Sequence, residues 1–362
     1  MTDREEQILS WIKQNPMISQ NELAELAGIT RSGVAAHISN LMKKGYLRGK
    51  GYIVTPPSYV TVIGGINMDI FGVADENVVD KSSNAGHVYY AVGGLGRNIA
   101  LNLRKLGIQN YFISVYGDDN NGEQFKADAL ANDMDITYSK QFADTNSSTY
   151  LYVNQPGGDR VVGLDDMSIN DRITPEFLED REDMINNSTA VVIDSNLPQQ
   201  TIEWLYEHCQ RPMFAKAVSV TKAGRLLKGI GHLNTLVLNA VESKTLSGIE
   251  ASDKHTAIQS AQRIIDKGVN NVFLYIDEVG MLYQDERHQL FYPEQKINQR
   301  NTNGAGAAAT AALVWAHKNE MLFEDSGQLA NAAAYLSMES IQAVNENLTH
   351  RTLELKRHEL FE

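Results

Sequence analysis

The sequence predicts an α/β protein: a doubly wound, mainly parallel sheet preceded by a small helical unit. Two observations predict this. From Tyr59 onward, short apolar runs alternate with helical patterns, which implies right-handed βαβ units with helices on both faces of one sheet. Before Tyr59 the pattern is three short amphipathic helices and a glycine-containing hairpin, set off by the stiff Thr55-Pro56-Pro57-Ser58. A length of 362 residues, 43% hydrophobic and 21% charged, suits two globular parts with a sizeable core. No apolar run reaches the roughly 18 residues of a membrane span. The charged start Met1–Glu6 lacks an apolar signal segment, and the lone Cys209 suits a reducing cytoplasm.

The first helix covers Glu5 to Gln14, with Ile8, Leu9, Trp11 and Ile12 on its apolar face, and Asn15-Pro16 ends it. Ser19 caps the second helix and Glu22 completes a capping box. Gly28 turns the chain, Thr30 caps again, and Val34, Ile38 and Leu41 run down the third helix. Tyr46–Val54 reads as a two-stranded wing. Residues 1–55 hold seven Lys/Arg against five Asp/Glu, a balance of +2, while the whole chain carries −13. A mildly basic head on an acidic body suggests different partners for the two parts. The head resembles a winged helix-turn-helix domain over 1–55, with 56–58 as linker and 59–362 as the body. The resemblance implies that Arg31, Ser32 and His37 lie on the exposed face of the third helix, the one that enters the major groove of DNA. Lys43, Lys44, Arg48 and Lys50 would sit near phosphates. A charge of +2 is weak for a lone DNA-binding module, so dimerisation would be needed. The alternative is a helical unit that binds protein or docks on the body.

In the body, Tyr59–Ile63 is a buried strand ending in Gly64-Gly65. The later elements follow in order: helix Gly96–Leu106, strand Asn110–Val115, helix Gly122–Asn132, strand Ala190–Ile193, helix Pro198–His208, strand Met213–Phe214. Next come helix Thr221–Leu227, strand Thr235–Leu238, helix Asp253–Lys267 and strand Asn271–Tyr275. Ligands of such sheets bind outside the carboxyl ends of the strands, and three motifs fall there. Gly64-Gly65-Ile66-Asn67-Met68-Asp69 places Asp69 where a carboxylate grips two neighbouring sugar hydroxyls; a cap or turn role is the alternative. In Val92-Gly93-Gly94-Leu95-Gly96-Arg97-Asn98, the glycines let backbone approach a ligand and Asn98 offers its amide. A dinucleotide turn is the competing reading, and it lacks its third glycine. Asn301-Thr302-Asn303-Gly304-Ala305-Gly306-Ala307 opens into an alanine-rich helix, aiming amides and the positive helix end at one point.

Together these motifs resemble the ribokinase-like (PfkB) carbohydrate and nucleoside kinases over roughly residues 59–350. Gly117-Asp118-Asp119 with Gly122, and Asn239 with Glu242, match further family motifs. Ser83-Asn84-Ala85-Gly86, Ser148-Thr149-Tyr150-Leu151, Asp165-Asp166-Met167 and Asp194-Ser195-Asn196-Leu197 are similar to the pseudouridine kinases among them. The resemblance implies a ribokinase-like fold with a small β lid from about 70–92 and 148–163, lids that pair in a homodimer, and transfer of the ATP γ-phosphate to a nucleoside 5′-hydroxyl. It implies a substrate site of Asn67, Asp69, Gly93, Gly94, Asn98 and Asp166, and a nucleotide site of Asn239, Asn303, Gly304, Gly306 and Asn331. Gly304, Ala305 and Gly306 would form the anion hole. Glu242 and Asn239 would hold Mg2+ through water, and potassium is a common activator in that family.

Four positions depart from the pattern. The family signature usually ends Gly-Ala-Gly-Asp, and that Asp takes the proton from the substrate hydroxyl; here the position is Ala307. Loss of a general base costs roughly 10²–10⁴-fold in rate. One explanation is a deliberate Asp→Ala change that traps a complex, which the intact remainder of the motif favours; the other is a natural ligand-binding pseudokinase. Tyr275 and Asp277 stand where relatives commonly place Thr/Ser and Gly in a loop near the nucleotide, and Lys216 differs from the acidic residue often found nearby. Two functions follow: a nucleoside kinase slowed at position 307, or a nucleoside-sensing DNA-binding regulator with a degenerate kinase body.

Overall fold

The computed structural model describes residues 1–48, 58–156 and 160–362. Most of the expected wing, with Lys50, and linker residues 56 and 57 lie outside the described residues. The head is α1 (Asp3–Gln14), α2 (Gln20–Ala27) and α3 (Arg31–Lys43). Thr2, Ser19 and Thr30 cap them, each accepting from the backbone N–H three residues on, and Ser19 with Glu22 forms the expected reciprocal box. Ile8, Ile12, Leu23, Val34 and Leu41 close a core of their own.

The body continues with β1 (Val60–Ile63), β2 (Asn67–Ala74), β3 (Gly86–Gly93), α4 (Leu95–Lys105), β4 (Asn110–Ile113), β5 (Val115–Gly117) and α5 (Asn120–Ala131). Then come β6 (Lys140–Phe142), β7 (Thr149–Asn154), β8 (Arg160–Asp166), α6 (Pro175–Glu179), α7 (Glu182–Asn186), β9 (Ala190–Asp194), α8 (Gln199–His208) and β10 (Met213–Lys216). The chain ends with α9 (Val220–Ala223), β11 (Leu233–Asn239), α10 (Ala240–Ser247), α11 (Lys254–Ile265), β12 (Asn271–Ile276), β13 (Gly280–Gln284), β14 (Gln289–Pro293), α12 (Ala305–Lys318), α13 (Phe323–Met338) and α14 (His350–Phe361).

Among the described residues, eight strands form one sheet in the order β14-β13-β12-β11-β10-β9-β1-β4, parallel from β12 to β4 with an antiparallel edge at β13 and β14. Strand alternation feeds two cores. Val60, Val62 and Val192 pack toward α4, α12 and α13, while Ile63, Val191 and Ile193 pack toward α8, α10 and α11. A second sheet, β3-β2-β7-β8, is the lid.

Several boundaries differ from the sequence reading. The strand expected over Asn110–Val115 breaks at Ser114, whose N–H donates to Ser139 Oγ (3.0 Å) and whose hydroxyl donates to the Gly64 carbonyl (2.7 Å). The short Met213–Phe214 strand runs on to Lys216, so that lysine ends β10 rather than following it. The Thr221–Leu227 helix splits into α9 and a 3-10 turn, Gly224–Leu226.

Candidate functional site

Gly64 and Gly65 lie on the buried Asp194, whose Oδ2 accepts from the Gly65 N–H (3.0 Å) and Oδ1 from the Asn196 N–H (2.8 Å). Burial outweighs these bonds and pushes the Asp194 carboxyl up to about 6. Gly94, at φ 104°, begins α4, and a Cβ there would lie 2.5 Å from Ile66 Cα. The motif glycines thus let two loops and a helix start converge at the strand ends.

Asp69 is the third residue of lid strand β2 rather than the end of β1. The chain crosses from the sheet into the lid over Gly64–Ile66, so the carboxylate hangs from the lid. Asn67 Nδ2 donates to Asp69 Oδ1 at 2.6 Å. A Cβ on Gly93 would overlap Asp69 Oδ2, so Gly93 makes room for the carboxylate instead of lining the cleft. In β7, Tyr150 lies opposite Asp69 and Tyr152 opposite Phe71, on which it stacks with centroids 5.2 Å apart. Sequence reasoning missed this aromatic face; the period-2 spacing of Tyr150 and Tyr152 was its signal.

Asn98 lies in the first turns of α4, with Oδ1 accepting from Arg97 Nη1 (3.0 Å), and its amide nitrogen has no partner among the described residues. Asp166 does not join the cleft. In the β7–β8 pairing, Tyr150 stands opposite Asp165, so the next residue, Asp166, takes the other face, where it is exposed. Asp165 instead pairs with Lys222 at 2.8 Å, and Lys222 also donates to Asn196 Oδ1.

Gly304 (φ 103°) caps α12 without a side-chain bond. A Cβ on Gly304 would overlap the Ala343 carbonyl. The first amide bonded within the helix is that of Ala308, to the Gly304 carbonyl (2.9 Å). The N–H groups of Ala305, Gly306 and Ala307 precede it, at the positive end of the helix. Ala307 is 1% exposed and lines the cleft, as do Asn303, Gly304, Ala305 and Gly306. Asn331 does not: it is fully buried within α13, and its amide atoms have no partner among the described residues. Asp277 accepts from the Tyr275 hydroxyl (2.5 Å), which ties that carboxylate to the cleft rim.

Asn239 is the N-cap of α10, its Oδ1 accepting from the Glu242 N–H (2.8 Å). Glu242 is 2% exposed, and its Oε2 accepts both the Asn239 N–H (2.9 Å) and Lys216 Nζ (2.8 Å). Glu242 Oε2 is therefore already spent on a helix cap and a lysine, and the ammonium at that oxygen opposes a divalent ion there. Among the described residues no cluster of three His, Cys, Asp or Glu is placed to hold a metal ion.

Asp69, Asn67, Asn98 and the two tyrosines line one cleft of about 350 Å³ together with the Gly304–Ala307 turn. Asp119 supports it from outside: its carboxylate accepts from the Gly122 N–H and from the Ser147 N–H and hydroxyl, which fixes the chain entering β7.

On the head, Arg31, Ser32 and Lys43 are exposed. His37 is only half exposed, and its Nδ1 is buried with no partner among the described residues. Lys44 pairs with Glu5 (3.1 Å) and Arg48 with Asp135 of the body, so neither is a free phosphate contact. The end of α3 is held to the body by Asn187, which donates to the Lys44 carbonyl (2.9 Å), and by Tyr46, which donates to Asn187. No helix among the described residues is long and apolar enough to cross a membrane.

Residues 57–350 match the pfkB family of carbohydrate kinases, and residues 1–48 match a winged helix-turn-helix DNA-binding family. A protein named as the uncharacterized sugar kinase YeiI of Escherichia coli (strain K12) is 32% identical, over 96% of this chain and 97% of its own. The pseudouridine kinase of the same organism is 28% identical over 80% of this chain and 94% of its own. Among solved structures, the Arabidopsis thaliana ribokinase complexed with ribose and ATP superposes with a TM-score of 0.73 at 20% identity, over 83% of this chain and 99% of that one, a likeness of fold.

Proposed function

Given that the chain belongs to the pfkB family of carbohydrate kinases, phosphotransferases with an alcohol acceptor, we propose that its cleft takes a ribonucleoside of the pseudouridine type together with ATP. Its chemistry is transfer of the γ-phosphoryl group to the nucleoside 5′-hydroxyl, slowed by Ala307. One observation carries this reading: a carboxylate suited to a diol and a helix start suited to a phosphate face the same cleft.

Asp69, oriented by Asn67, accepts from two ribose hydroxyls, and the free amide of Asn98 adds a donor. Tyr150 and Tyr152 offer the base an aromatic face. The amides of Ala305, Gly306 and Ala307 hold oxygens of the transferring phosphoryl, where preorganised donors act without reorganisation. Kinases of this family use ATP, typically with Mg2+, which supplies charge neutralisation on the phosphates. With Ala307 the Gly304–Ala307 signature offers no side-chain acceptor for the 5′-hydroxyl proton, which leaves through water. The exposed Val88 and Tyr90 of β3 and Leu164 of β8 leave lid edges for pairing with a second copy.

A second reading, a nucleoside-responsive DNA-binding regulator, is favoured by a specific pairing. Ala307 and Lys216 line the same cleft, and two replacements at one point weaken the explanation of a single deliberate change. The contacts of α3 with Asn187 and of Arg48 with Asp135 give the body a mechanical hold on the head. The test is a nucleoside panel read by thermal stabilisation alongside ADP release. Stabilisation by ribonucleosides, greatest for the C-glycoside, with slow ADP release supports the first reading. Nucleoside binding without any transfer, but with a shift in affinity for the chain's own upstream DNA, supports the second. No stabilisation by any nucleoside sinks both.

A further inference from the structure

Lys216 ends β10 with its side chain in the cleft and is 9% exposed. An ammonium has three donors. One goes to the Ala217 carbonyl and one to Glu242 Oε2 at 2.8 Å, and the third has no partner among the described residues. Its stem crosses the first turn of α12: a Cβ built on Gly306 would overlap Lys216 Cε and lie 3.6 Å from Nζ. The ammonium therefore stands against the first turn of α12 at Gly306, in the stretch whose amides are not bonded within the helix.

This placement is electrostatically lopsided. The start of a helix favours an anion, and a cation there is repelled. Glu242 balances Lys216 with a single negative charge, which leaves the amides uncompensated. A divalent ion beside Glu242 would meet both an ammonium and a carboxylate with one oxygen, Oε2, already engaged. A phosphate, by contrast, answers the spare ammonium proton and the three amides together.

We propose that Lys216 is a built-in cation that takes the place of a divalent ion, so that the cleft holds a terminal phosphate group without metal. This rests on the reading above that the cleft takes a phosphate beside a pentose. The phosphate is that of a nucleotide or of a nucleoside 5′-monophosphate, and the two differ in which end of the cleft the nucleoside fills.

The experiment is calorimetric titration of the full chain with ADP, uridine 5′-monophosphate and uridine, each with Mg2+ and each with EDTA. The expected result is that the phosphate-bearing ligands keep their Kd within about threefold on removal of Mg2+. Lys216→Gln should lose roughly 10–100-fold in their affinity while leaving uridine unchanged, and Lys216→Arg should restore most of it. A preference for the monophosphate assigns the phosphate to the acceptor side, and a preference for ADP assigns it to the donor side; either supports the proposal if metal-independent. Binding of phosphate ligands only with Mg2+ overturns it and leaves the functional reading standing. Uridine binding with no phosphate ligand bound under either condition also overturns it. Failure of all three ligands overturns the functional reading instead. The metal comparison on the unsubstituted chain decides the matter even if the Gln variant fails to fold.

Discussion

Replacing Ala307 by Asp should turn this chain into a markedly faster phosphotransferase. Position 307 is the third residue of α12, 1% exposed and on the cleft wall. A carboxylate there sits at the positive end of a 14-residue helix, a placement worth about 0.3–1 kcal/mol, which offsets part of the cost of its burial. A positioned general base contributes roughly 10²–10⁴-fold, or about 3–5 kcal/mol of barrier. Lys216, across Gly306, stands close enough to stabilise the new carboxylate as an anion, which weakens it as a base. The gain should therefore fall toward the lower end, near 10². The assay is ADP release with saturating nucleoside, with Ala307→Asn as the control that fills the same space but cannot take a proton. If the Ala307→Asp and Ala307→Asn variants release ADP at equal rates while both bind nucleoside, the assignment of the base position is wrong.

Other perturbations test separate parts of the molecule. Asp69→Asn removes a charged acceptor from the lid and should raise the nucleoside Kd roughly 10–100-fold with little change in ADP affinity, read by calorimetry. Asp194 holds its proton more tightly folded than unfolded, since its pKa rises from 3.8 to about 6. Its contribution to stability thus falls as pH rises from about 4 to about 6 and is level above that; Asp194→Asn should flatten the Tm profile across this window. On the head, Lys43→Ala should lower the salt slope of DNA binding by about one, whereas Arg31→Ala should cost about 1–3 kcal/mol for the preferred sequence; filter binding at several salt concentrations separates them.

Much of the frame was legible because it depends on short-range signals. Ser19 with Glu22 and Thr30 marked helix starts through bonds that span three residues. The apolar runs of β1 and β9 alternated between two cores as a sheet covered on both faces requires. The Gly304 turn announced itself because only glycine tolerates both its φ and the nearness of the Ala343 carbonyl. What escaped depends on residues far apart in the chain. Glu242 reads as a free metal ligand until β10 and α10 bring Lys216 against it, 26 positions away. Asp166 and Asp165 differ by one step of the pleat, and only the β7–β8 register says which one shares a face with Tyr150. Arg48 looked like a phosphate contact, but Asp135 of the body claims it.

The functional reading stands or falls on one cleft holding a pentose under Asp69 and a phosphate on the α12 amides. A crystal structure of the full chain soaked with pseudouridine and ADP decides it. Ribose hydroxyls should lie on the Asp69 carboxylate and phosphate oxygens on the Ala305–Ala307 N–H groups in the same molecule. An empty Gly304 turn with the phosphates bound elsewhere, or a ribose that does not touch the lid, would contradict it.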